Sequence, residues 1–365
     1  MLRVKAIDIF RGLCIFYMTF GHMVYWWISQ SDFWLYEVIW NLGAPVGGGG
    51  FLLVSGVSAI LSYRRRLDKI QSSQDGNVKL VRNEYMLRAL MIFFVSTLWN
   101  FFGTLYMGLP GVWLWFVIQT ISISLIMAWP FFKTSKLFRL FICFSSWIGN
   151  EIIFAWLSPY QGQSTAAGFL YYFLYNVPDQ NVILGYFPFL LAGTVIGDLF
   201  YEASLKEGFD KQQTYLKEKL FKPSLIGGFI LIIFGVFFKF PEFSNKETFS
   251  SHMFVFGIEL LLITLLVIIK DFNKIKFKKN YSVLKYYSYY SFTIFLAHNL
   301  LFFLFPPRFN AIEIWFYIVP IMIIWTFLFY LIYKKLGKYA SLKFFISKVA
   351  SFLAEKIEVL RYKKH

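Results

Sequence analysis

Three ionisable side chains fall inside the first long apolar run of the chain: Asp8, Arg11 and His22. Ionisable groups at membrane depth are costly, so each is a functional candidate. Arg11 and His22 are 11 residues apart, which on an α-helix puts them on one face with about 16 Å of rise between them. Asp8 lies one turn before Arg11, placed to pair with it. A guanidinium holds anions, and a neutral imidazole accepts or passes a proton. The stripe therefore suits a long ligand, anionic at one end and reactive at the other. The plainer reading is an interfacial Asp8–Arg11 ion pair, with His22 an interface residue beside Tyr25, Trp26 and Trp27.

A second stripe recurs late in the chain. Ser291 and His298 are seven residues apart in SFTIFLAHN, again on one helix face. Glu151 and Glu259 are two further acids inside apolar runs. His252 stands at a run's end and His365 in the tail, where neither carries a signal. No His, Cys, Asp or Glu spacing matches a metal site, so no metal is expected. Residues 47–50 are four consecutive glycines after Pro45. They strip one turn of side chains, so a helix or a ligand can reach the backbone at Gly48 and Gly49. Pro45 predicts a kink or unwound turn there. Arg64, Arg65 and Arg66 follow this helix, and Arg82 and Arg88 open the next. Guanidiniums suit bidentate phosphate contacts, so with Arg11 they suit a cytosolic polyphosphate. Positive-inside topology and anionic lipid explain any single one equally well.

The elements that must position these groups are apolar runs. Of 365 residues, 58% are hydrophobic and 15% charged, against about 45–50% and 25% in soluble domains. Aromatics reach 22%. This composition excludes disordered, collagen-like and ordinary cytosolic classes. Cys14 and Cys143 both lie in apolar runs, which excludes a disulfide framework. Ten candidate transmembrane helices fall at 6–28, 38–62, 89–109, 112–132, 140–157, 182–200, 224–240, 252–270, 286–305 and 314–333. The first run is too long and too polar for a cleaved signal peptide. The expected fold is an all-α polytopic membrane protein with both termini cytoplasmic. In that arrangement 32 of the 36 Lys and Arg residues fall in inner segments and Arg11 in the inner end of the first helix, leaving Lys239, Lys246 and Arg308 outside. The net charge of +16 is thus mostly topological, and no nucleic-acid partner is expected. The outer loop 158–181 has no Lys or Arg, and its GFLYYFLYN segment reads as an interfacial helix. Residues 1–340 read as one membrane domain, and 341–365 as a basic amphipathic tail on the inner face.

The opening RVKAIDIFRGLCIFYMTFGHMVYWW resembles the first helix of integral-membrane acyltransferases. Its Asp-x-x-Arg-Gly resembles the heparan-alpha-glucosaminide N-acetyltransferase catalytic-domain family. The Arg11–His22 spacing is similar to the related acyltransferase-3 family and to prokaryotic members of the first. GGFLLVSGVSAILSYRRR resembles the second-helix motif, and YFPFLLAGTVIGDLFY resembles a Pro-x-x-x-x-Gly-x-x-x-Gly helix. YYSFTIFLAHNLL resembles the late Ser-Leu-x-x-Tyr-x-x-His helix, with Phe292 and Phe295 in place of Leu and Tyr. The animal lysosomal enzyme of the first family places its proposed catalytic histidine after the first helix. Here residues 29–37 hold none, so the resemblance carries that role to His22.

The resemblance implies an acyl-CoA co-substrate, acetyl-CoA above all. Its phosphates would rest on Arg11, Arg64, Arg65, Arg66 and Arg88. Its pantetheine arm would pass Gly48 and Gly49 towards His22, with Asp8 and His298 in support. His22 would act as base or carry the acyl group transiently, and His298 would orient the acceptor or stabilise the oxyanion. The expected acceptor is a hydroxyl or amine of an extracytoplasmic glycan or lipid-linked sugar. The expected location is the cell membrane, in contact with lipid and compatible with a homodimer. The alternative is a transporter or flippase for a lipid-linked or anionic solute, with the arginines as binding site and His22 and Glu259 as a proton relay.

Overall fold

The computed structural model describes residues 4–72, 78–109, 111–176, 180–240, 248–270, 272 and 282–362; Lys246 and His365 lie outside these. Among the described residues the fold is all-α. The first five helices are α1 (Lys5–Trp27), α2 (Trp34–Gly43), α3 (Gly48–Ser72), α4 (Val78–Met107) and α5 (Val117–Ala128). Next come α6 (Lys136–Leu157), α7 (Ala166–Tyr175), α8 (Ile183–Ser204), α9 (Phe209–Leu216) and α10 (Lys222–Phe238). The last five are α11 (Phe249–Lys270), α12 (Ser282–Tyr289), α13 (Ser291–Ala297), α14 (Glu313–Leu336) and α15 (Leu342–Tyr362). Extended pairing among the described residues amounts to an isolated bridge between Ile28 and Phe309.

Eight helical stretches are long and apolar enough to cross a membrane, and the chain is a polytopic membrane protein. Two of the ten expected spans fall short of that length. The run at 112–132 begins as a helix only at Val117 and ends in a 3₁₀ turn, Trp129–Lys133. The preceding stretch includes Gly108 and Gly111, both at positive φ, a backbone geometry that does not continue a helix. The run at 286–305 is broken twice. Tyr290, at φ −96° and ψ 19°, separates α12 from α13, and the chain tightens to 3₁₀ from His298 to Phe303. The Tyr290 hydroxyl is pinned to the Gly337 carbonyl at 2.6 Å. The expected break beside Pro45 is a 3₁₀ turn, Ala44–Val46, with α3 starting at Gly48.

The helices pack as two compact units. The smaller comprises residues 2–51 and 261–345. Within it α1 lies along α12, because Gly12 has no Cβ to strike the Leu284 backbone. Phe16 meets Tyr287 edge-on at 5.4 Å. At the far end of α1 the Trp27 indole donates to the Leu301 carbonyl at 3.2 Å, and the Ser29 amide to the Phe309 carbonyl at 2.8 Å. Gly43 of α2 leaves room for the Tyr17 ring, whose hydroxyl donates to the Ile39 carbonyl.

The larger unit comprises residues 52–260 and 346–365. Its most buried helix is α8, which packs against α3 through glycines. Gly56 approaches the Leu190 carbonyl, Gly193 the Leu53 carbonyl, and Gly197 the side chain of Ile60. Small residues four apart let helix backbones touch in this way, and dispersion then replaces the absent hydrophobic drive in lipid. The helix α15 lays Ser347, Ser351 and Glu358, all on one face, against Arg88, Glu84 and Asn83 of α4, each at 2.7 Å.

Candidate active site

The smaller unit brings together two of the histidines that lie 276 residues apart in sequence. His22 lies on α1, and His298 is the first residue of the 3₁₀ turn that ends α13. The Nδ1 of His22 is 2.7 Å from the Nε2 of His298. The rings are near-parallel, with centroids 5.0 Å apart. Trp26, one turn after His22, stacks on His298 at 5.7 Å. His298 is wholly buried and His22 half-buried.

Hydrogen-bond chemistry orders the two rings. The Phe295 carbonyl can only accept, so the Nδ1 of His298 carries the proton and donates to it. The same carbonyl accepts from the Asn299 amide at 3.0 Å. The Nε2 of His298 is then an acceptor, and the hydrogen on the His22 Nδ1 points to it. When both rings are neutral, this order leaves the basic lone pair of His22 on Nε2, and a proton gained there is shared with His298. A backbone carbonyl that fixes the tautomer of one ring fixes the orientation of both.

Arg11 stands three turns before His22 on the same helix. It bonds Asp8 at 3.2 Å, as its spacing predicts, and the Ser288 hydroxyl of α12 at 3.3 Å. Ser291 is buried on α13. The glycine run serves packing at its third and fourth positions. Gly49 and Gly50 are buried and Gly48 half-buried. A Cβ on Gly50 would stand 2.6 Å from the Pro45 carbonyl and 3.1 Å from the Phe10 ring.

The remaining candidate arginines, Arg64, Arg65, Arg66 and Arg88, belong to the larger unit, and three of them hold carboxylates. The Nε of Arg64 bonds one oxygen of Asp198 at 2.8 Å, and its Nη2 bonds the other oxygen at 3.2 Å and the Phe132 carbonyl at 3.1 Å. Arg139, only 1% exposed, also pairs with Asp198 and bonds Thr194 at 2.9 Å. Arg66 and Arg88 share Glu84, the second at 3.2 Å. Arg65 is half-buried beside them on α3. Asp198, Glu84 and Arg139 were not among the candidates read from the sequence. The signal that marks Asp198 is a charge within an apolar helix, whereas Glu84 lies in the charged start of α4 between Arg82 and Arg88.

The other buried ionisable groups divide. Glu151 pairs with Lys239, one of the basic residues expected outside, and accepts the Phe249 amide at 2.6 Å. Glu259 is fully buried, and its two carboxylate oxygens meet no donor among the described residues. His252, read as a helix-end residue, is enclosed by Trp147, Tyr186 and Phe189. No group of three or more metal-ligating side chains occurs among the described residues.

Comparison with known families bears on this geometry directly. The family model for the catalytic region of heparan-alpha-glucosaminide N-acetyltransferase matches residues 3–239, and the chain belongs to that family. The matched stretch contains Asp8, Arg11, His22, both glycine candidates and all four candidate arginines of the larger unit; His298 lies beyond it. No individually curated protein matches the chain.

Proposed function

Starting from that membership, we propose that the chain is a membrane acetyltransferase with His22 as its general base. The family supports the transferase class, and in general terms an acetyl-CoA donor and a sugar acceptor. The finer reading is transfer of acetyl from cytosolic acetyl-CoA to a hydroxyl or amine of an extracytoplasmic glycan or lipid-linked sugar. The observation that carries the choice of base is the 2.7 Å contact between His22 and His298. It links the one histidine of the matched region to a partner whose tautomer the backbone sets.

The chemistry follows from that tautomer. The acceptor nitrogen or oxygen bonds to the thioester carbonyl carbon while its proton passes to the Nε2 of His22. The imidazolium shares its Nδ1 proton with the Nε2 of His298. The tetrahedral intermediate then expels the CoA thiolate, which takes a proton and leaves as the thiol. A positioned base of this kind contributes about 10²–10⁴-fold. Asp8 is assigned to orienting Arg11. The donor's phosphates are assigned to Arg11, Arg64, Arg65, Arg66 and Arg88. Arg64, Arg66 and Arg88 would use N–H groups not committed to Asp198 or Glu84. The Gly48 and Gly49 backbone is assigned to the pantetheine arm.

The orientation is part of the same proposal. Helix α6 carries Lys136 and Arg139 at its first turn and runs 22 residues to a loop without Lys or Arg. That length is about 33 Å, enough to cross the hydrocarbon, and the basic end is placed in the cytoplasm. Cysteines introduced at Ser72 and at Ser164 are expected to label from opposite sides of intact cells; labelling of both from outside would refute the orientation. The activity itself is read as release of CoA thiol from acetyl-CoA by the purified protein. Release that depends on methyl α-glucosaminide or a lipid-linked sugar is expected. An absence of thioester cleavage with every acceptor would remove the acetyltransferase reading.

A further inference from the structure

The loop between α6 and α8 carries a cup of about 730 Å³, within the 300–1,000 Å³ range of small-molecule sites. It lies wholly in the larger unit. In a protein of net charge +16, residues 158–176 contain no Asp, Glu, Lys, Arg or His. The cup is lined instead by amides, hydroxyls and aromatic rings, among them Gln161, Gln163, Ser164, Phe169, Tyr172 and Asn176. Phe169 is 69% exposed and Tyr172 45%. Three residues apart on α7, they present two rings on one helix face.

The cup is held in shape by its own backbone. Gly162 turns the chain at φ +76°. The side-chain Nε2 of Gln163 donates to the Pro159 carbonyl at 2.9 Å. The Thr165 hydroxyl caps α7 by accepting the Gly168 amide at 3.1 Å, and Gly168 has no Cβ to strike the Gln163 carbonyl. Asn176 donates to the Trp113 carbonyl at 2.6 Å, closing the other end. The amide oxygens of Gln163 and Asn176 remain as acceptors alongside those donor contacts. A site ordered before binding loses little entropy when it binds.

We infer that this cup is a binding site for an uncharged glycan. Sugar rings offer C–H faces to Phe169 and Tyr172, and their hydroxyls both donate and accept, matching Gln161, Gln163, Ser164 and Asn176. A charged ligand would find no countercharge here. The inference rests on the orientation proposed above, which puts this loop outside. An aromatic anchor in the lipid interface would use the rings alone and would have no use for a cup of amides.

Saturation-transfer NMR on the full-length protein in detergent, with chitotriose, cellotriose and maltotriose as probes, tests this. At least one is expected to receive saturation. Tyr172→Ala and Phe169→Ala are each expected to weaken it about 5- to 10-fold. Gln161→Ala, at an exposed position that cannot disturb packing, is expected to weaken it less. Thiol release from acetyl-CoA with methyl α-glucosaminide, read at the separate histidine site, should stay at wild-type rate in all three variants. An absence of saturation transfer with all three sugars, or transfer unchanged by both aromatic variants, overturns the site. A wild-type protein that binds sugar but releases no thiol would instead overturn the acetyltransferase reading and leave the cup standing.

Discussion

Each unit of this protein holds a cluster of polar side chains, and the two clusters are built in opposite ways. In the cluster of the larger unit, charge is met by charge: Asp198 receives Arg64 and Arg139, and Glu84 receives Arg66 and Arg88. In that of the smaller unit, His22 and His298 meet imidazole to imidazole, at 2.7 Å. An arginine–carboxylate cluster balances its charges within itself, and its value lies in fixing helix against helix. An imidazole pair has one basic nitrogen to offer and a second ring to share the load. The contrast separates a scaffold that holds α3, α4, α6, α8 and α15 in place from a site able to do acid–base chemistry.

The largest effect that can break this contrast is on turnover. His22→Ala is expected to lower the acetyl-transfer rate by about 10²–10⁴-fold. His298→Ala should cost less, because it removes the partner and not the base. If the two act as one unit, the double variant is no slower than His22→Ala alone; additive losses in the four rates would show that they act separately.

Next in size is the scaffold. Asp198→Ala leaves two guanidiniums facing each other, one of them on the fully buried Arg139. Stability should fall by about 3–5 kcal/mol, read as a loss of folded protein in thermal unfolding in detergent. Asp198→Asn keeps the hydrogen-bond acceptor and should lose less. Equal stability of all three proteins would show that the cluster does not hold α3, α6 and α8 together. Smaller again is the clash at the α3–α8 crossing, where Gly193→Val should cost about 1–3 kcal/mol by overpacking against the Leu53 carbonyl.

The arginines set the finest distinction. Each charge-assisted hydrogen bond contributes roughly 1.5–3 kcal/mol, so alanine at a true phosphate ligand should weaken acetyl-CoA binding by about 10- to 150-fold. Arg11→Ala and Arg65→Ala are expected to fall in that range. Arg64→Ala and Arg66→Ala should lose stability as well, since Asp198 and Glu84 lose a partner. Unchanged acetyl-CoA affinity across the set, measured by calorimetry, would assign all of these arginines to scaffold and topology.

How far the sequence reveals this arrangement depends on the distance over which each signal acts. The helices are legible because an apolar run is a local property, and so is the Arg11–His22 stripe, which lies within one helix. The break beside Pro45 is legible for the same reason. The break at Tyr290 is not, because what pins that residue is the Gly337 carbonyl, 47 positions away. The His22–His298 pairing and the Asp198 and Glu84 clusters escape detection because each depends on which helices become neighbours, and periodicity says nothing of that. The arginines look like ligand groups in sequence because their carboxylates lie on other helices or further along their own.

The central claim is that His22 takes the proton, and single-turnover transfer from labelled acetyl-CoA by His22→Gln tests it most directly. Glutamine keeps a polar group of similar reach that can still bond His298, so the fold and acetyl-CoA binding should survive, but it cannot accept a proton. If His22 is the base, the bound acetyl group is transferred at least about 10²-fold more slowly than in the wild type while acetyl-CoA affinity is unchanged. A folded His22→Gln protein that transfers acetyl at the wild-type rate would contradict it and take His22 out of the chemistry.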